Sequence, residues 1–252
     1  MDHLGTAEIM QLREWVRSAR RVVFFGGAGV STESGIPDFR SVDGLYNQTY
    51  DYPPETILSH QFFYSKPAAF YRFYRDKMLI DPERVRPNAA HLTLARLEAE
   101  GKMEQTGVIT QNVDGLHTAA GSKRVYELHG SIHRNYCIRC GRFYPLDRVT
   151  NRTGDAGGVP LCACGGIIKP DVVLYGESLD DATVEGAVNA MAKADLLIIG
   201  GTSMTVYPAA GLVRYFRGDR TVIINRDATA ADGDADLIIR QPIGKVLGSL
   251  YG

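Results

Sequence analysis

The run Val22-Val23-Phe24-Phe25, followed at once by Gly26-Gly27-Ala28-Gly29, constrains this chain more than any other stretch. Four consecutive apolar residues, all β-branched or aromatic, describe a strand buried on both faces, as in a parallel sheet. Glycines directly after it permit a tight turn and let backbone approach a ligand with no Cβ in the way. A buried strand entering such a turn is where a dinucleotide pyrophosphate sits, against the amides at the start of a helix. The G-x-G-x-x-G spacing is broken, because Thr32 stands where the third glycine belongs. Taken alone, the stretch also fits a plain structural strand-to-helix turn. It continues into Pro37-Asp38-Phe39-Arg40, a polar and aromatic tail for which an ordinary dehydrogenase has no need.

The rest of the chain repeats the alternation of strand and helix. Ala7 to Ala19 reads as an amphipathic helix with Ile9, Met10, Leu12, Trp15 and Val16 near one side. Ser41 to Pro87 holds many tyrosines and is interrupted by prolines, which fits short helices in a small module over a ligand cleft. Asn88 to Glu100 is a further helix, with Leu92, Leu94, Ala95 and Leu97 apolar, ended by Gly101. Val108-Ile109 is a short buried strand, and Gln111, Asn112 and Asp114 leave its carboxyl end. In an open parallel sheet that end carries ligand groups, so these polar heads are placed to read a ligand, although a capped turn is the alternative. Thr183 to Ala194 is a helix, and Leu196 to Ile199 a strand that ends in Gly200-Gly201-Thr202-Ser203, a second set of donors for phosphate or ribose. Val222 to Ile224 runs into Asn225-Arg226-Asp227, where a polar residue at a strand end suits the adenosine ribose, and Leu237 to Ile239 is a last strand. The alternation implies an α/β fold with a doubly wound parallel sheet.

All four cysteines fall between Cys137 and Cys164, as Cys137-x-x-Cys140 and Cys162-x-Cys164. Paired cysteines at short spacing in a cytosolic protein are metal ligands more often than disulfides. Four thiolates suit tetrahedral zinc in a closed structural site, with no position left for water. A redox dithiol and free thiols are the alternatives. Thr153 to Gly158, between the pairs, reads as a mobile loop. A length of 252 residues allows one large domain or a domain with a satellite module. With a net charge of −1 there is no sign of general affinity for nucleic acid or anionic membrane. No apolar run approaches the ~18 residues that span a bilayer. The first residues carry neither a basic segment nor an apolar core, so the expected localisation is cytoplasmic.

Gly27 to Ser31 and Ser34 to Arg40 closely resemble the NAD-binding signature of the sirtuins, the NAD-dependent protein lysine deacylases. Thr110 to His117 nearly repeats their T-Q-N-I-D-x-L-H motif, with Val113 for isoleucine. Glu127-Leu128-His129-Gly130 matches the place of their general base. Unaided, a lone histidine reads more readily as structural or surface. Ile168 to Glu177 resembles R-P-x-V-V-x-F-G-E, the segment that lines their acyl-lysine tunnel and pairs with the substrate backbone, with Lys169 for arginine and Tyr175 for phenylalanine. The resemblance runs from about Val22 to about Leu250.

It implies a discontinuous Rossmann-type NAD-binding domain (1–40, 88–130, 170–252), a helical module (41–87) and a zinc-binding module (131–169). His129 would be the catalytic base. Ala28, Thr32, Phe39 and Arg40 would hold the pyrophosphate and ribose, Gly27 and Gly29 would be further cofactor contacts, and Asp38 would help close the nicotinamide pocket of Asn112, Val113 and Asp114. Gln111 would fix the nicotinamide ribose, and Gly201, Thr202, Ser203, Asn225, Arg226 and Ile243 the adenosine half. Val172, Gly176, Glu177 and Val206 would line the peptide cleft, and Cys137, Cys140, Cys162 and Cys164 would hold one structural zinc. The implied partners are acetylated lysines in proteins or peptides, not nucleic acid or membrane. The implied activity is transfer of the acetyl group to ADP-ribose with release of nicotinamide. Alternatives are mono-ADP-ribosyl transfer or desuccinylation at the same site, a nicotinamide-dependent oxidoreductase, and a non-enzymatic zinc and nucleotide adaptor. Acid-acyl members carry Tyr-x-x-Arg on the helical module; here Tyr71 is followed at that spacing by Tyr74, with Arg75 one residue further on. The expected substrate is therefore acetyl-lysine, with Arg75 the residue that could overturn this.

Overall fold

Residues 7–39, 44, 50–79, 84–152 and 154–251 are described by the structure, a computed structural model. Helix α1 (Ala7–Ser18) buries Ile9, Leu12 and Val16, which share one face at helical spacing. Met10 lies off that stripe and is 58% exposed, contrary to its expected place on the packing side. Strand β1 (Val22–Gly26) is buried along its whole length. Two 3-10 turns follow it, Ala28–Val30 and Thr32–Ser34, where the glycine pattern suggested the start of an α-helix. The Val30 and Ser31 amides bond back to the carbonyls of Gly27 and Ala28, and Gly35, at φ 88°, ends the run in left-handed geometry.

Helices α2 (Pro54–Ile57), α3 (His60–Ser65) and α4 (Pro67–Phe73) are short, and prolines open the first and the third. A π-helical turn, Tyr74–Met78, extends α4. Helix α5 (Ala89–Ala99) is capped by Asn88, whose side chain accepts from the Ala90 amide. Leu92 of this helix is exposed, while Leu94 and Leu97 are buried. Then come β2 (Gly107–Thr110), α6 (Leu116–Ala119), β3 (Val125–Glu127), β4 (Gly130–Cys137), β5 (Phe143–Pro145) and α7 (Asp147–Thr150). Strands β6 (Asp155–Ala156) and β7 (Val159–Pro160) form a small hairpin where the sequence suggested a mobile loop. The chain ends through β8 (Ile168–Val172), α8 (Asp181–Lys193), β9 (Leu196–Gly200), β10 (Arg220–Ile224), β11 (Leu237–Ile239) and α9 (Ile243–Gly248).

Among the described residues, six strands form one parallel sheet in the order β3-β2-β1-β9-β10-β11. The order reverses between β1 and β9, where Gly26 is in register with Gly200. That reversal opens a crevice at the carboxyl ends of the strands, the ligand position of doubly wound sheets. Phe24 packs on one face with Leu12, Leu94, Ile198 and Val246, under α1, α5 and α9. Phe25 points to the other, with Ile109, Met191, Ile199 and Leu212, under α8 and a 3-10 turn at Ala209–Tyr215. Burial on both faces explains the unbroken apolar runs in the sequence.

A second sheet, β5-β4-β8, is antiparallel. Strand β8 belongs to it and not to the parallel sheet, so the segment boundary expected between 169 and 170 falls inside a strand. Its apolar side joins the helical module in a single buried cluster that contains Phe63, Phe70, Tyr71, Ile132, Val172 and Leu174 together with Cys137 and Cys162.

Candidate active site

A cleft of about 930 Å³ lies at the reversal point of the parallel sheet. Each wall follows from one strand end. The turns after β1 supply Ala28, Gly29, Thr32, Asp38 and Phe39. The loop after β2 supplies Gln111, Asn112, Val113 and Asp114, and the residue before β4 is His129. The turn after β9 brings Gly201, Thr202, Ser203 and Val206; beyond β10 lie Asn225 and Arg226; Ile243 opens α9. Val172, Gly176 and Glu177 line the cleft at the other end, and the helical module adds Leu58, Met78 and Leu79. Arg40 lies outside the described residues.

Gly27 is the described candidate that does not line the cleft. It packs behind it: a Cβ at Gly27 would sit 2.9 Å from Thr202 Cβ, and one at Gly29 would sit 2.8 Å from Gly201 Cα. Glycine is required here by the approach of two backbone turns, not by a ligand alone. The Gly29 amide donates to the Gly201 carbonyl at 2.8 Å, so this N–H is consumed within the protein.

Buried polar side chains cluster under the loop after β2. The Ser31 hydroxyl donates to Asp114 Oδ2 at 2.6 Å, and Asn112 Nδ2 donates to Ser31 Oγ at 3.1 Å. The Leu116 amide donates to Asp114 Oδ1 at 2.9 Å. Ser31 is 1% exposed, Asn112 and Asp114 8% each, so these bonds are shielded from competing water. Ser31 was not singled out from the sequence, although it stands within the glycine motif. Its partner lies 83 residues away, and only the packing of β1 against β2 joins them.

His129 Nδ1 lies 2.9 Å from the Gln111 carbonyl oxygen. A carbonyl only accepts, so Nδ1 carries the proton and Nε2 keeps its lone pair. Burial lowers the pKa of His129 below its ordinary value, partly opposed by that carbonyl. The neutral, basic form is therefore the resting form near neutral pH. Gln111 itself keeps a buried Nε2 with no protein acceptor. An orphan donor on the cleft wall fits a ligand hydroxyl, and together with the neighbouring Asn112 and Asp114 it suits the nicotinamide riboside part of NAD.

At the other end, Glu177 is drawn in three directions. It accepts from the Leu174 amide at 2.9 Å, from Lys169 Nζ at 3.0 Å, and pairs with His60 Nδ1 at 3.0 Å. Burial works to raise its carboxyl, and these partners outweigh it, so the group stays ionised below the usual range. Tyr175 is 41% exposed, and its amide and carbonyl already pair with Leu58 and His60. Across the cleft Arg226 faces Asp38 at 3.9 Å.

The four cysteine Sγ atoms lie within 4.8 Å of one another, with Cys137 to Cys164 at 3.4 Å and Cys140 to Cys162 at 3.6 Å. A zinc ion with bonds of about 2.3 Å needs thiolates roughly 3.8 Å apart, whereas a disulfide needs about 2.05 Å. The Arg139 and Cys164 amides donate to Cys137 and Cys162 Sγ, as expected where the sulfurs carry negative charge. The donor set fits zinc. Arg75, the residue in question for acidic acyl groups, does not line the cleft; its guanidinium is held by Asp155 and the Val149 carbonyl. No helix among the described residues is long and apolar enough to cross a membrane.

The family model described as "Sir2 family" matches residues 27–208. An NAD-dependent protein deacetylase of Clostridium acetobutylicum is 54% identical over 243 residues, 95% of this chain and 96% of that one. One of Cutibacterium acnes is 52% identical over 242 residues, again covering 95% and 96%. Among solved structures, a Sir2 with p53 peptide and NAD+ superposes with a TM-score of 0.84 at 37% identity, covering 96% of this chain and 97% of that one. A Sir2Tm bound to a propionylated peptide gives 0.83 at 36% identity, covering 97% of both.

Proposed function

The chain belongs to the Sir2 family, and on that premise we propose that this cleft removes acetyl groups from lysines of proteins or peptides and transfers them to the ADP-ribose of NAD, releasing nicotinamide. The observation that carries this reading is His129, kept neutral by burial and fixed in one tautomer by the Gln111 carbonyl, in one cleft with the Ser31–Asn112–Asp114 cluster.

NAD, when bound, supplies a glycosidic carbon to which the acyl oxygen can be joined as nicotinamide departs. The protein's part is to bind, orient and move protons. Asn112 and Asp114 would hold the carboxamide end, with Ser31 fixing both side chains. Gln111 Nε2 would take a ribose hydroxyl, and His129 Nε2 would remove a ribose proton so that the oxygen can attack the acyl carbon. A base of this kind is typically worth about 100- to 10,000-fold in rate. Phe39, with Leu58, Met78 and Leu79 from the helical module, gives the cleft an apolar wall that would keep water from competing. Thr202, Ser203, Asn225, Arg226 and Ile243 would take the adenosine half, and Val172, Gly176, Glu177 and Val206 the peptide. Cys137, Cys140, Cys162 and Cys164 would hold zinc, which supplies folding energy to the small sheet and takes no part in bond making. Action in the cytoplasm belongs to the same proposal, because four cysteines with no disulfide among them suit a reducing compartment.

Incubation with NAD and an acetyl-lysine peptide tests the function, with mass detection of O-acetyl-ADP-ribose and deacetylated peptide in equal amounts. Nicotinamide release without an acetylated ADP-ribose product would overturn it.

A further inference from the structure

Glu33 stands in the second 3-10 turn after β1, is exposed, and lines the cleft. Its Oε2 accepts the backbone amide of Gly244 at 2.6 Å, from a residue 211 positions away. Gly244 lies in the first turn of α9, and the N-cap of that helix, Pro242, supplies no side-chain bond. The carboxylate thus reaches across from the β1 turns to a helix start whose amides otherwise lack a cap. It accepts one of the amide N–H groups that a helix start leaves without an intrahelical partner.

The carboxylate sits directly over Gly244. A Cβ on Gly244 would lie 2.8 Å from both carboxylate oxygens of Glu33. The residue before it, Ile243, is wedged so closely over β9 that a Cβ on Gly200 would overlap its side chain. Gln241, Pro242 and Ile243 line the same cleft as Asn225 and Arg226. One bond therefore ties the turns after β1 to the wall built after β11, on opposite sides of β9 and β10.

We infer that Glu33 is a positioning residue for the adenosine half of NAD, acting through α9. The inference rests on the assignment of Asn225 and Ile243 to the adenosine site. Glu33 holds the first turn of α9 against the β1 turns, and so keeps the Gln241–Ile243 wall at a fixed distance from Asn225. Releasing it lets that wall move and weakens adenosine binding, while the nicotinamide end, built on Ser31, Asn112 and Asp114, keeps its own bonds.

Three variants test this: Glu33→Ala, Glu33→Gln and Gly244→Ala. Glu33→Ala should raise the KM for NAD and weaken ADP-ribose binding by about five- to tenfold, the worth of one ordinary hydrogen bond. Its kcat, its KM for acetyl-peptide and its inhibition by nicotinamide should stay within about twofold. Glu33→Gln keeps an acceptor for the Gly244 amide and should recover most of the loss, whereas Gly244→Ala, which pushes the carboxylate away, should reproduce Glu33→Ala. Unchanged ADP-ribose affinity in Glu33→Ala overturns the inference, as does a Gln variant no better than Ala, or an equal loss of peptide and nucleotide binding. Asn225→Ala separates the two levels. If it too leaves ADP-ribose affinity unchanged, the adenosine assignment is what fails; if it weakens binding and Glu33→Ala does not, only the role of Glu33 falls.

Discussion

The guanidinium of Arg75 and the carboxylate of Asp155 lie 2.6 Å apart, with side chains only 8% and 7% exposed. Arg75 Nε also donates to the Val149 carbonyl at 2.9 Å, and Arg148 approaches Asp155 from the other side at 3.2 Å. The end of the helical module is thereby fastened to the hairpin between the two cysteine pairs. Arg75 is thus paired with the hairpin and does not line the cleft. Arg75→Met should cost about 2–4 kcal/mol of stability, below the upper end for a broken buried pair because Arg148 still faces Asp155. Urea unfolding measures that cost. Matched acetyl- and succinyl-lysine peptides measure the other half: acetyl should be preferred by both the wild type and the variant. Fast desuccinylation that disappears in Arg75→Met would contradict it.

His129→Ala should retain the fold and bind NAD while losing turnover by at least about a hundredfold. The pH profile adds a check on the environment. The base works when neutral, and burial favours the neutral form, so the acid limb of kcat/KM should lie below the ordinary histidine value of about 6.5. An acid limb above that value would mean that a different group, or a solvated His129, controls the step.

Much of this was legible beforehand for a physical reason. Apolar runs such as Val22–Phe25 and Leu196–Ile199 are buried on both faces and carry an unambiguous strand signal. The motif residues fall at strand ends, so the sheet order brings them together once the strands are placed. What escaped the sequence is long-range. Ser31 meets Asp114, Glu33 meets Gly244, and Arg75 meets Asp155 across 83, 211 and 80 positions. No local pattern encodes such pairs. The stretch from 154 to 158 looked like a loop because glycines dominate it; Asp155, pinned by two arginines, makes it a hairpin turn.

Asp114 accepts from Ser31 and from the Leu116 amide, one bond on each oxygen. Asp114→Asn keeps the shape but removes an acceptor, placing a donor against either the Ser31 hydroxyl or the Leu116 amide. Nicotinamide inhibition should weaken by about tenfold or more, and nicotinamide release should slow, because both depend on the same carboxylate. Inhibition and exchange assays with labelled nicotinamide measure this. Inhibition equal to wild type would remove Asp114 from the carboxamide site.

Cys137 and Cys162 are buried in the same apolar cluster as Phe70, Tyr71, Val172 and Leu174, so the metal module is not an isolated appendage. Metal analysis should find about one zinc per chain. Chelation should lower the melting temperature and raise the KM for acetyl-peptide, because Val172 and Leu174 lie on the cleft wall, although no cysteine lines it. Metal-free protein with an unchanged melting curve and unchanged kinetics would contradict the zinc assignment.

His91 and His117 pack with ring centroids 4.6 Å apart and are 0% and 2% exposed. His91 Nδ1 accepts the Asn88 amide at 3.2 Å, which requires its neutral form. Burial lowers His91 to about 4, with the Asp114 carboxylate opposing the shift. Burial also takes His117 well below its ordinary value, and the neighbouring His91 adds to this. Both histidines are therefore neutral in the fold, while in the unfolded chain they take protons near pH 6.5. Between those limits the unfolded chain binds more protons, so stability rises with pH and falls on acidification. The full contribution is present above about pH 6.5; below it each histidine should cost roughly 1.4 kcal/mol per pH unit while its folded form stays neutral. Urea midpoints should change little from about pH 7.5 to about pH 6.5 and fall from there to about pH 5, before most carboxylates titrate. His117→Phe, which keeps a flat ring against Phe24 and removes one titrating group, should make that slope shallower even if it lowers stability at neutral pH. A slope identical to wild type would mean that His117 is already hydrated and protonated in the native fold.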